Sequence, residues 1–422
     1  MKKILPLFIL LLFLGLGAAA QGTDSLKQVA QSFNVDSATE QWLNTLNGPA
    51  RAKSDAYFEG GYWLLLWNTL YALLVAALFM FTGLSARIKK AVSRFKSQNI
   101  QNLLYAAAYI LLSYLLTFPL NVYQSYFREH QYGLSNMSFT GWLSDELTGL
   151  AVAIIGGSLI LMVLYIAIRK TGKNWWAWGA GITVAFSALV LFIMPVFLMP
   201  LFNKYEPLQD GQLKQEILSM ARANSIPAQN VYQFDASKQS DRISANVSGI
   251  ASTTRISLND NLLKRCTPAE IKSVMGHEMG HYVMNHIYKG LLQMGVLIVI
   301  VFGLANYLFE KTKNKWGQRL QITAVSDIST LPVLAGIFSL VMFFTTPLTN
   351  TMTRTMEAEA DMFGLNAARE PDAEAHVDMM LSEYRKIDPG YWEEILFYDH
   401  PSGRNRVHMA MQWKAEHLNE LK

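Results

Sequence analysis

A His-Glu-x-x-His motif is the clearest chemical signal in this 422-residue sequence. His277 and His281 are four residues apart, just over one helical turn, so on a helix both imidazoles project from one face and can bind a single zinc ion. Glu278 lies on the adjoining face, where it can take a proton from an attacking water but is badly placed to be a ligand. The alternative is an amphipathic helix with solvated histidines, but Gly280, which costs about 1 kcal/mol in a helix interior, argues against it. The motif therefore predicts a zinc peptidase with Glu278 as its base.

The third zinc ligand must come from another part of the chain. A catalytic zinc takes three protein ligands and keeps one position open. Two apolar stretches follow His281, and this even number of crossings returns the chain to the same side of a membrane. The segment reached there contains Glu357 and Asp361, four residues apart and therefore on one face of a helix. One carboxylate can bind zinc while the other orients a ligating imidazole; a solvated acidic face is the alternative.

The elements that must position these residues can be predicted from local patterns. Residues 267–270, Thr-Pro-Ala-Glu, have a capping threonine, a proline in the first turn and a glutamate that closes a capping box, so the zinc helix begins here. Upstream, residues 211–224 have the apolar spacing of an amphipathic helix, and Val231–Phe234 is typical of a short strand. Residues 244–250 and 254–258 are predicted to be strands joined by a tight turn.

Composition indicates that much of the chain lies in a membrane. Hydrophobic residues make up 51% of the sequence and charged residues 16%, whereas about a quarter of a soluble globular protein is charged. Six apolar runs are long enough to cross a bilayer, which takes roughly 20 residues. These runs are residues 61–83, 103–123, 148–168, 175–200, 290–309 and 330–350.

Charge placement predicts the orientation of these spans. The formal net charge of +4 is too small to indicate a nucleic-acid partner. The loops after the first, third and fifth runs are basic, so by the positive-inside rule they face the cytoplasm. The polar segment 201–289 and the C-terminal tail then face the opposite side.

The N-terminus has the pattern of a secretory signal peptide. Lys2 and Lys3 precede an uncharged run from residue 4 to residue 20 that ends in small residues. A short first membrane helix that stays in place is the alternative. The single cysteine, Cys266, excludes an internal disulfide and a cysteine-based metal cluster.

Several further motifs occur in a fixed order along the chain. They are residues 200–207 after the fourth run, the zinc motif followed by Asn285 and His286, Glu357-x-x-Ala-Asp361 preceded by Arg354, and His400-Pro401 followed by Arg406. In these motifs the sequence from about residue 50 to the C-terminus resembles the type I CAAX prenyl protease family and its HtpX-like relatives. The resemblance implies that Glu357 is the third ligand of one Zn²⁺ per subunit. It also implies that Asp361, Arg354 and His286 lie immediately behind the ligands.

The resemblance further implies a substrate-binding side of the site. His400 and Arg406 would line the site and stabilise the oxyanion. An extended substrate would pair with an edge strand, whose implied residues are Ser244, Ala245, Asn246 and Gly249. The sequence departs from the family in two places, since the family usually has Asn where this chain has Ser244 and usually keeps its first hydrophobic segment as a membrane helix.

The predicted fold is mostly α: a polytopic α-helical membrane protein into which a small α+β, gluzincin-like zinc metallopeptidase domain is inserted. The predicted organisation is residues 1–20 as signal peptide or first membrane helix, 21–60 as a polar N-terminal segment, 61–200 as a four-span membrane region, 201–288 as the metallopeptidase domain with the zinc helix, 289–350 as a two-span hairpin, and 351–422 as the C-terminal part of the metallopeptidase domain.

The predicted function is hydrolysis of peptide bonds by a membrane zinc metalloendopeptidase. The resemblance implies C-terminal CAAX-box processing, with peptide or protein substrates that are prenylated or membrane-associated. A signal peptide and an outward-facing site would instead suit an envelope quality-control protease without prenyl specificity in the bacterial cytoplasmic membrane. A catalytically silent zinc-binding scaffold is a third alternative, and the presence of Glu278 argues against it because a pure binding site needs no base.

Overall fold

The computed structural model describes residues 33–249 and 254–421, so the predicted signal peptide at residues 1–20 lies outside the described residues. The longer helices are α1 Val35–Leu43, α2 Gly48–Phe81, α3 Leu84–Val92, α4 Gln98–Val122, α5 Phe139–Thr171, α6 Trp175–Ile193, α7 Gln212–Ala223, α8 Asp260–Arg265, α9 Pro268–Val283, α10 His286–Leu320, α11 Leu331–Ala368, α12 Pro371–Leu381, α13 Tyr391–Phe397 and α14 Gly403–Glu416. The strands are β1 Tyr205–Pro207, β2 Val231–Phe234, β3 Ala245–Ser248 and β4 Arg255–Asn259. The prediction of a mostly α fold is confirmed.

Five helical segments are long and apolar enough to cross a membrane, where the sequence analysis predicted six runs. They are Gly48–Phe81, Gln98–Gln131, Phe139–Leu201, His286–Leu320 and Ile328–Ala368. The numbers differ because the third and fourth predicted runs both lie on the 63-residue segment Phe139–Leu201. This segment turns at Gly172–Asn174, and Leu161 and Thr183, on either side of the turn, line one cavity. Its two halves, α5 and α6, therefore run back along each other as separate passes.

The small sheet has the strand order β1-β2-β4-β3. β2 and β4 are parallel, whereas β1 and β3 each pair antiparallel with their neighbour. The predicted strand Val231–Phe234 is confirmed, and β3 lies at the edge of the sheet, as expected for a strand that could accept a substrate. The strand Tyr205–Pro207 was not predicted, since three residues that include a proline show no alternating pattern.

The zinc-motif helix α9 begins as predicted. Thr267 is its N-cap, its side chain accepts from the amide of Glu270, and the Glu270 carboxylate accepts from the amide of Thr267. This capping box fixes where the helix starts. Because the helix is regular, its start also determines the direction in which each residue of the zinc motif further along the helix projects.

Glycines allow α9 to pack directly against α11. A Cβ added at Gly280 would lie 3.1 Å from the Cα of Ala360, and one at Gly276 would lie 3.0 Å from the carbonyl oxygen of Gly364. From the other side, a Cβ at Gly364 would lie 2.9 Å from the amide nitrogen of His277. The two backbones are therefore in contact, which brings the motif histidines close to the C-terminal half of α11.

This close approach can be tested by adding a methyl group. Gly364→Ala should destabilise the protein by about 1–3 kcal/mol, because a rigid backbone must shift to accommodate the new atom, and it should also weaken zinc binding. Gly149→Ala is the matched control, since nothing lies within 4 Å of a Cβ there. Thermal unfolding in detergent compares the stabilities of the two variants, and a zinc titration compares their zinc affinities. Equal melting temperatures for the two variants would contradict the packing.

The C-terminal helices and the segment between the fourth and fifth predicted runs share one hydrophobic core. Val377 of α12 belongs to the same buried cluster as Ile217 of α7, Ile256 of β4 and Met275 of α9. A second cluster joins Leu43 of α1 to α12 and α14. Residues 21–60 were predicted to be a polar N-terminal segment; in its described part, 35–43 pack into this second cluster and 48–60 belong to α2.

Candidate metal centre

The structure brings His277, His281 and Glu357 together around one point. The two Nε2 atoms of the histidines are 3.1 Å apart. Glu357 Oε2 is 3.2 Å from His277 Nε2, and Glu357 Oε1 is 3.6 Å from His281 Nε2. Ligands at the usual zinc distances of a tetrahedral site would be about 3.3 Å apart. The three donors therefore fit a single zinc ion with one position left open.

The imidazole of His277 is oriented from behind by Asp361. His277 Nδ1 lies 2.7 Å from Asp361 Oδ1, and the Asp361 side chain is only 2% exposed. Arg406 donates to both oxygens of this carboxylate, from Nε at 2.9 Å and from Nη2 at 2.6 Å. A hydrogen bond on Nδ1 leaves Nε2 free for the metal. The expectation that Asp361 supports a ligating histidine thus agrees with the contacts.

His281 has a corresponding set of partners on the other side. Its Nδ1 lies 2.9 Å from Nδ1 of His286, and His286 Nε2 lies 3.0 Å from Glu359 Oε2. Lys289 donates to the same carboxylate at 2.6 Å. His286 is thus behind a ligand, as expected, whereas the sequence analysis missed the roles of Glu359 and Lys289. No local spacing links these two residues, because they lie on different helices.

Glu278 lies beside the donors and lines a cavity of about 230 Å³. Burial raises the pKa of its carboxyl, and the adjacent histidines act in the opposite direction. Glu278 is the residue that the His-Glu-x-x-His motif assigns to proton transfer. The cavity is lined by Ile243, Ser244, Ala245, Val274, His277, Glu278, Glu357, Glu374, Val377, Leu381, Tyr384, Arg385, His400 and Arg406.

The edge strand reaches the cavity only at its start. Ser244 and Ala245 line the cavity, whereas Asn246 and Gly249 are not among its lining residues. Gly249 has a φ of +93°, a conformation that favours glycine and that ends the extended strand. Of the four residues expected to face a substrate, only the first two line the cavity that the metal donors also line.

His400 points at the metal donors. Its Nε2 lies 3.3 Å from Glu357 Oε2, and its Nδ1 lies 2.8 Å from Asp399 Oδ1. Asp399, which the sequence analysis did not single out, thus sets the orientation of the ring. Beside the metal donors, His400 can donate a hydrogen bond to an oxygen of a bound peptide.

The contacts of Arg354 differ from the expectation that this residue lies immediately behind the metal ligands. Its Nη1 donates to the carbonyl oxygens of Glu394 and Tyr398, and its Nη2 donates to Thr351 Oγ1. Within residues 33–249 and 254–421, it makes no hydrogen bond to a metal-donor side chain. It is therefore not immediately behind the ligands. It fixes the segment that leads into His400, because residue 398 is two positions before this histidine.

Arg406 is surrounded by buried carboxyl groups. Besides its two bonds to Asp361, its Nε lies 3.0 Å from Asp378 Oδ1 and its Nη2 lies 3.7 Å from Glu374 Oε1. Burial raises the pKa of Glu374 and of Asp378, and the neighbouring carboxylates add to this effect. Both shifts favour the neutral acid forms, which lessens the repulsion among three carboxyl groups that share one guanidinium. Arg406 thus holds Asp361, and its expected contact with a substrate oxyanion stays a prediction.

Removing this cation should destabilise the site. Arg406→Gln is expected to cost about 3 kcal/mol of folding stability, since it leaves Asp361 charged and buried without its partner. The same change should weaken zinc binding about 10- to 100-fold, because Asp361 orients a ligand. Chemical unfolding and zinc titration measure the two effects. Arg404→Gln, which breaks surface pairs to Asp388 and Glu40, is the control, and an equal response would contradict this role.

Comparisons with known proteins agree with this geometry. Residues 207–414 match the model of peptidase family M48, and residues 38–204 match that of the CAAX prenyl protease N-terminal region, five membrane helices. The chain is 30% identical over 347 residues to the metalloprotease YhfN of Bacillus subtilis, covering 82% of this chain and 80% of that protein. It is 28% identical over 336 residues to CAAX prenyl protease 1 of Saccharomyces cerevisiae, covering 75% and 73% respectively.

A solved structure has the same fold. The crystal structure of Ste24p from S. mikatae matches with a TM-score of 0.71 at 22% sequence identity, covering 93% of this chain and all of that one. At this identity the likeness concerns the arrangement of helices and the small sheet.

Proposed function

Since the chain belongs to peptidase family M48 and is a multi-pass membrane metalloprotease, we propose that it hydrolyses peptide bonds with one zinc ion per subunit, held by His277, His281 and Glu357. The observation that carries this proposal is the convergence of three donor side chains, whose nearest donor atoms are 3.1–3.6 Å apart in each pair. Glu278 is directly adjacent in the sequence and lines the same cavity.

Each side chain then has a defined task. Zinc, when bound, supplies Lewis-acid chemistry that acidifies a water molecule and polarises the peptide carbonyl. Glu278 takes the proton as the water attacks, and later passes it to the leaving amine. Asp399 accepts from His400 Nδ1 and balances its charge when the ring carries a second proton, so that Nε2–H can donate to the developing oxyanion. Arg406 contributes by holding Asp361, which orients His277.

The substrate proposed is the C-terminal CAAX box of a prenylated chain that lies at the membrane. The matched relatives from several eukaryotes are named CAAX prenyl protease 1, and this supports the same substrate class for the present chain. The edge strand β3 next to the donors supports binding of an extended peptide.

A comparison of two peptides tests the substrate. Detergent-purified protein should cleave a farnesylated CAAX peptide at least ten times faster than its unmodified twin, if the prenyl group contributes about 1.4 kcal/mol or more. Both reactions should stop when a zinc chelator is added and should resume when zinc is restored. Equal cleavage of the two peptides would instead favour a protease without prenyl specificity.

One observation favours that second candidate, an envelope protease of the bacterial cytoplasmic membrane. Helix α10 begins at the site with His286 and ends near a cluster of basic residues, Lys311, Lys313, Lys315 and Arg319. A helix of 35 residues is about 50 Å long, so the site and the basic cluster lie on opposite sides of a bilayer. By the positive-inside rule, this arrangement supports a site outside the cytoplasm.

Fusions to the C-terminus test this orientation. Helix α14 packs in the same core as α12, next to the site, so the C-terminus and the site lie on one side. An alkaline phosphatase fusion that is active and a green fluorescent protein fusion that is dark would place the site outside. The reverse result would place it in the cytoplasm.

A further inference from the structure

The cavity of the metal centre contains a cation that the proposed mechanism does not use. Arg385 lines the cavity directly after the short turn Ser382–Tyr384. In the part of the chain that the structure describes, its side chain makes no hydrogen bond, and no acid lies within 4.0 Å of it. The next residue, Lys386, is by contrast paired with Glu59 at 2.7 Å and with Glu393 at 3.0 Å.

The backbone that carries Arg385 is held in place. Ser54 of α2, whose side chain is buried, donates its hydroxyl to the carbonyl oxygens of Ser382 at 2.5 Å and of Arg385 at 2.8 Å. The base of the side chain is thus tied to the first long helix. The fixed backbone limits the region that the guanidinium can reach, which keeps it at the cavity.

The other charged groups of the cavity have tasks or partners. Arg406 is bound by Asp361, Glu357 is a metal donor, and Glu278 is needed as the base. Asp399 is close by, but its carboxylate accepts from His400 at 2.8 Å. Within the described residues, Arg385 is therefore the cavity's uncommitted cation. A guanidinium binds a carboxylate with two parallel hydrogen bonds, which makes an anion the natural ligand.

We propose that Arg385 binds the terminal α-carboxylate of the peptide substrate and so determines that cleavage takes place close to the C-terminus of a chain. An extended peptide carries one anionic group whatever its sequence, and this is its C-terminal carboxylate. Three extended residues span about 10 Å, so an anchored carboxylate fixes which bond reaches the metal donors. This inference rests on the proposed peptidase function, because it requires a peptide in the same cavity.

Two peptides of identical sequence test the inference, one with a free C-terminal carboxylate and one with a C-terminal carboxamide. The wild-type protein should prefer the acid by at least about 10-fold in kcat/KM, mainly through KM, as expected for a charge-assisted hydrogen bond. In Arg385→Gln the ratio of acid to amide should fall to about 1. Arg385→Lys, which keeps the charge without the planar fork, should retain part of the preference.

Arg404→Gln is the matched control, because this arginine pairs with Asp388 and Glu40 away from the cavity and should keep the wild-type ratio. An unchanged acid-to-amide ratio in Arg385→Gln would overturn the inference, even if both rates fell. The same peptides are also titrated against zinc-loaded Glu278→Gln with and without Arg385→Gln. Failure of wild-type cleavage would then count against the peptidase, whereas equal binding of acid and amide would count against Arg385.

Discussion

Replacement of Glu278 by Gln should lower kcat by about 1,000-fold while leaving one zinc bound per chain. The amide has nearly the same shape as the carboxylate, but it cannot accept the proton of the attacking water, and general base catalysis contributes about 100- to 10,000-fold. Glu278 lines the cavity and is not among the three donors that surround the metal position. A fluorogenic peptide assay measures the rate, and elemental analysis measures the zinc.

Glu206→Gln provides a control for this substitution. Glu206 is a half-exposed residue of β1 whose carboxylate pairs with Lys204. The Glu206→Gln protein should therefore cleave peptides at the wild-type rate. A Glu278→Gln protein that retains zinc and cleaves as fast as this control would rule out the assigned base. Loss of both zinc and activity would show instead that Glu278 supports the metal.

At equimolar zinc, replacement of Glu357 by Gln should abolish zinc binding. The activity should therefore fall by at least about 1,000-fold. A carboxylate that contributes one of three protein donors is essential to a site of this kind. Glu359, two residues further along α11, offers a matched comparison. Its carboxylate binds His286 and Lys289 rather than the metal position, so Glu359→Gln should weaken zinc binding only about 10- to 100-fold.

Competition with a chelating dye measures both zinc affinities in detergent. The order of the two effects is the decisive result, because the variants differ by two positions on the same helix. A larger loss of affinity in Glu359→Gln than in Glu357→Gln would reverse the assignment of the third donor. It would also imply that α11 turns differently against α9 when zinc is bound.

The metal centre is continuous with the membrane-spanning helices. Glu357 lies on α11, whose N-terminal part is one of the apolar segments, and His286 begins α10, which is another. Pro347 interrupts the hydrogen bonding of α11 between its span and Glu357, whereas α10 has no internal proline. A displacement of the α10 span would therefore move His286, which supports a metal donor. The lipid environment should therefore affect zinc affinity, as well as stability.

Local sequence patterns were enough to predict the elements that carry the donors. The start of α9 follows from the capping box, and the shared face of His277 and His281 follows from the 3.6-residue period of a helix. The apolar runs follow from the thickness of a bilayer. The return of Glu357 to the same side of the membrane as the histidines follows from counting an even number of crossings. Each of these inferences uses residues close in the sequence or a sum over a long segment.

Some expectations failed because they depended on contacts between distant residues. Arg354 was expected behind a ligand, but it binds the carbonyls of Glu394 and Tyr398. The strand β1 and the helix α1 had patterns too short or too polar to show that they pack in the sheet and the core.

The sequence by itself thus determined the class of chemistry, the zinc helix and the spans, since helical periodicity and hydrophobic length are local properties. Only the tertiary structure decided which carboxylates surround Arg406 and that Arg385 lies in the cavity without an ion-pair partner among residues 33–249 and 254–421. These contacts arise because three glycines let α9 and α11 touch and because α12 packs on both. Partners more than 20 residues apart leave no periodic signal, so their identity depends on how the helices pack.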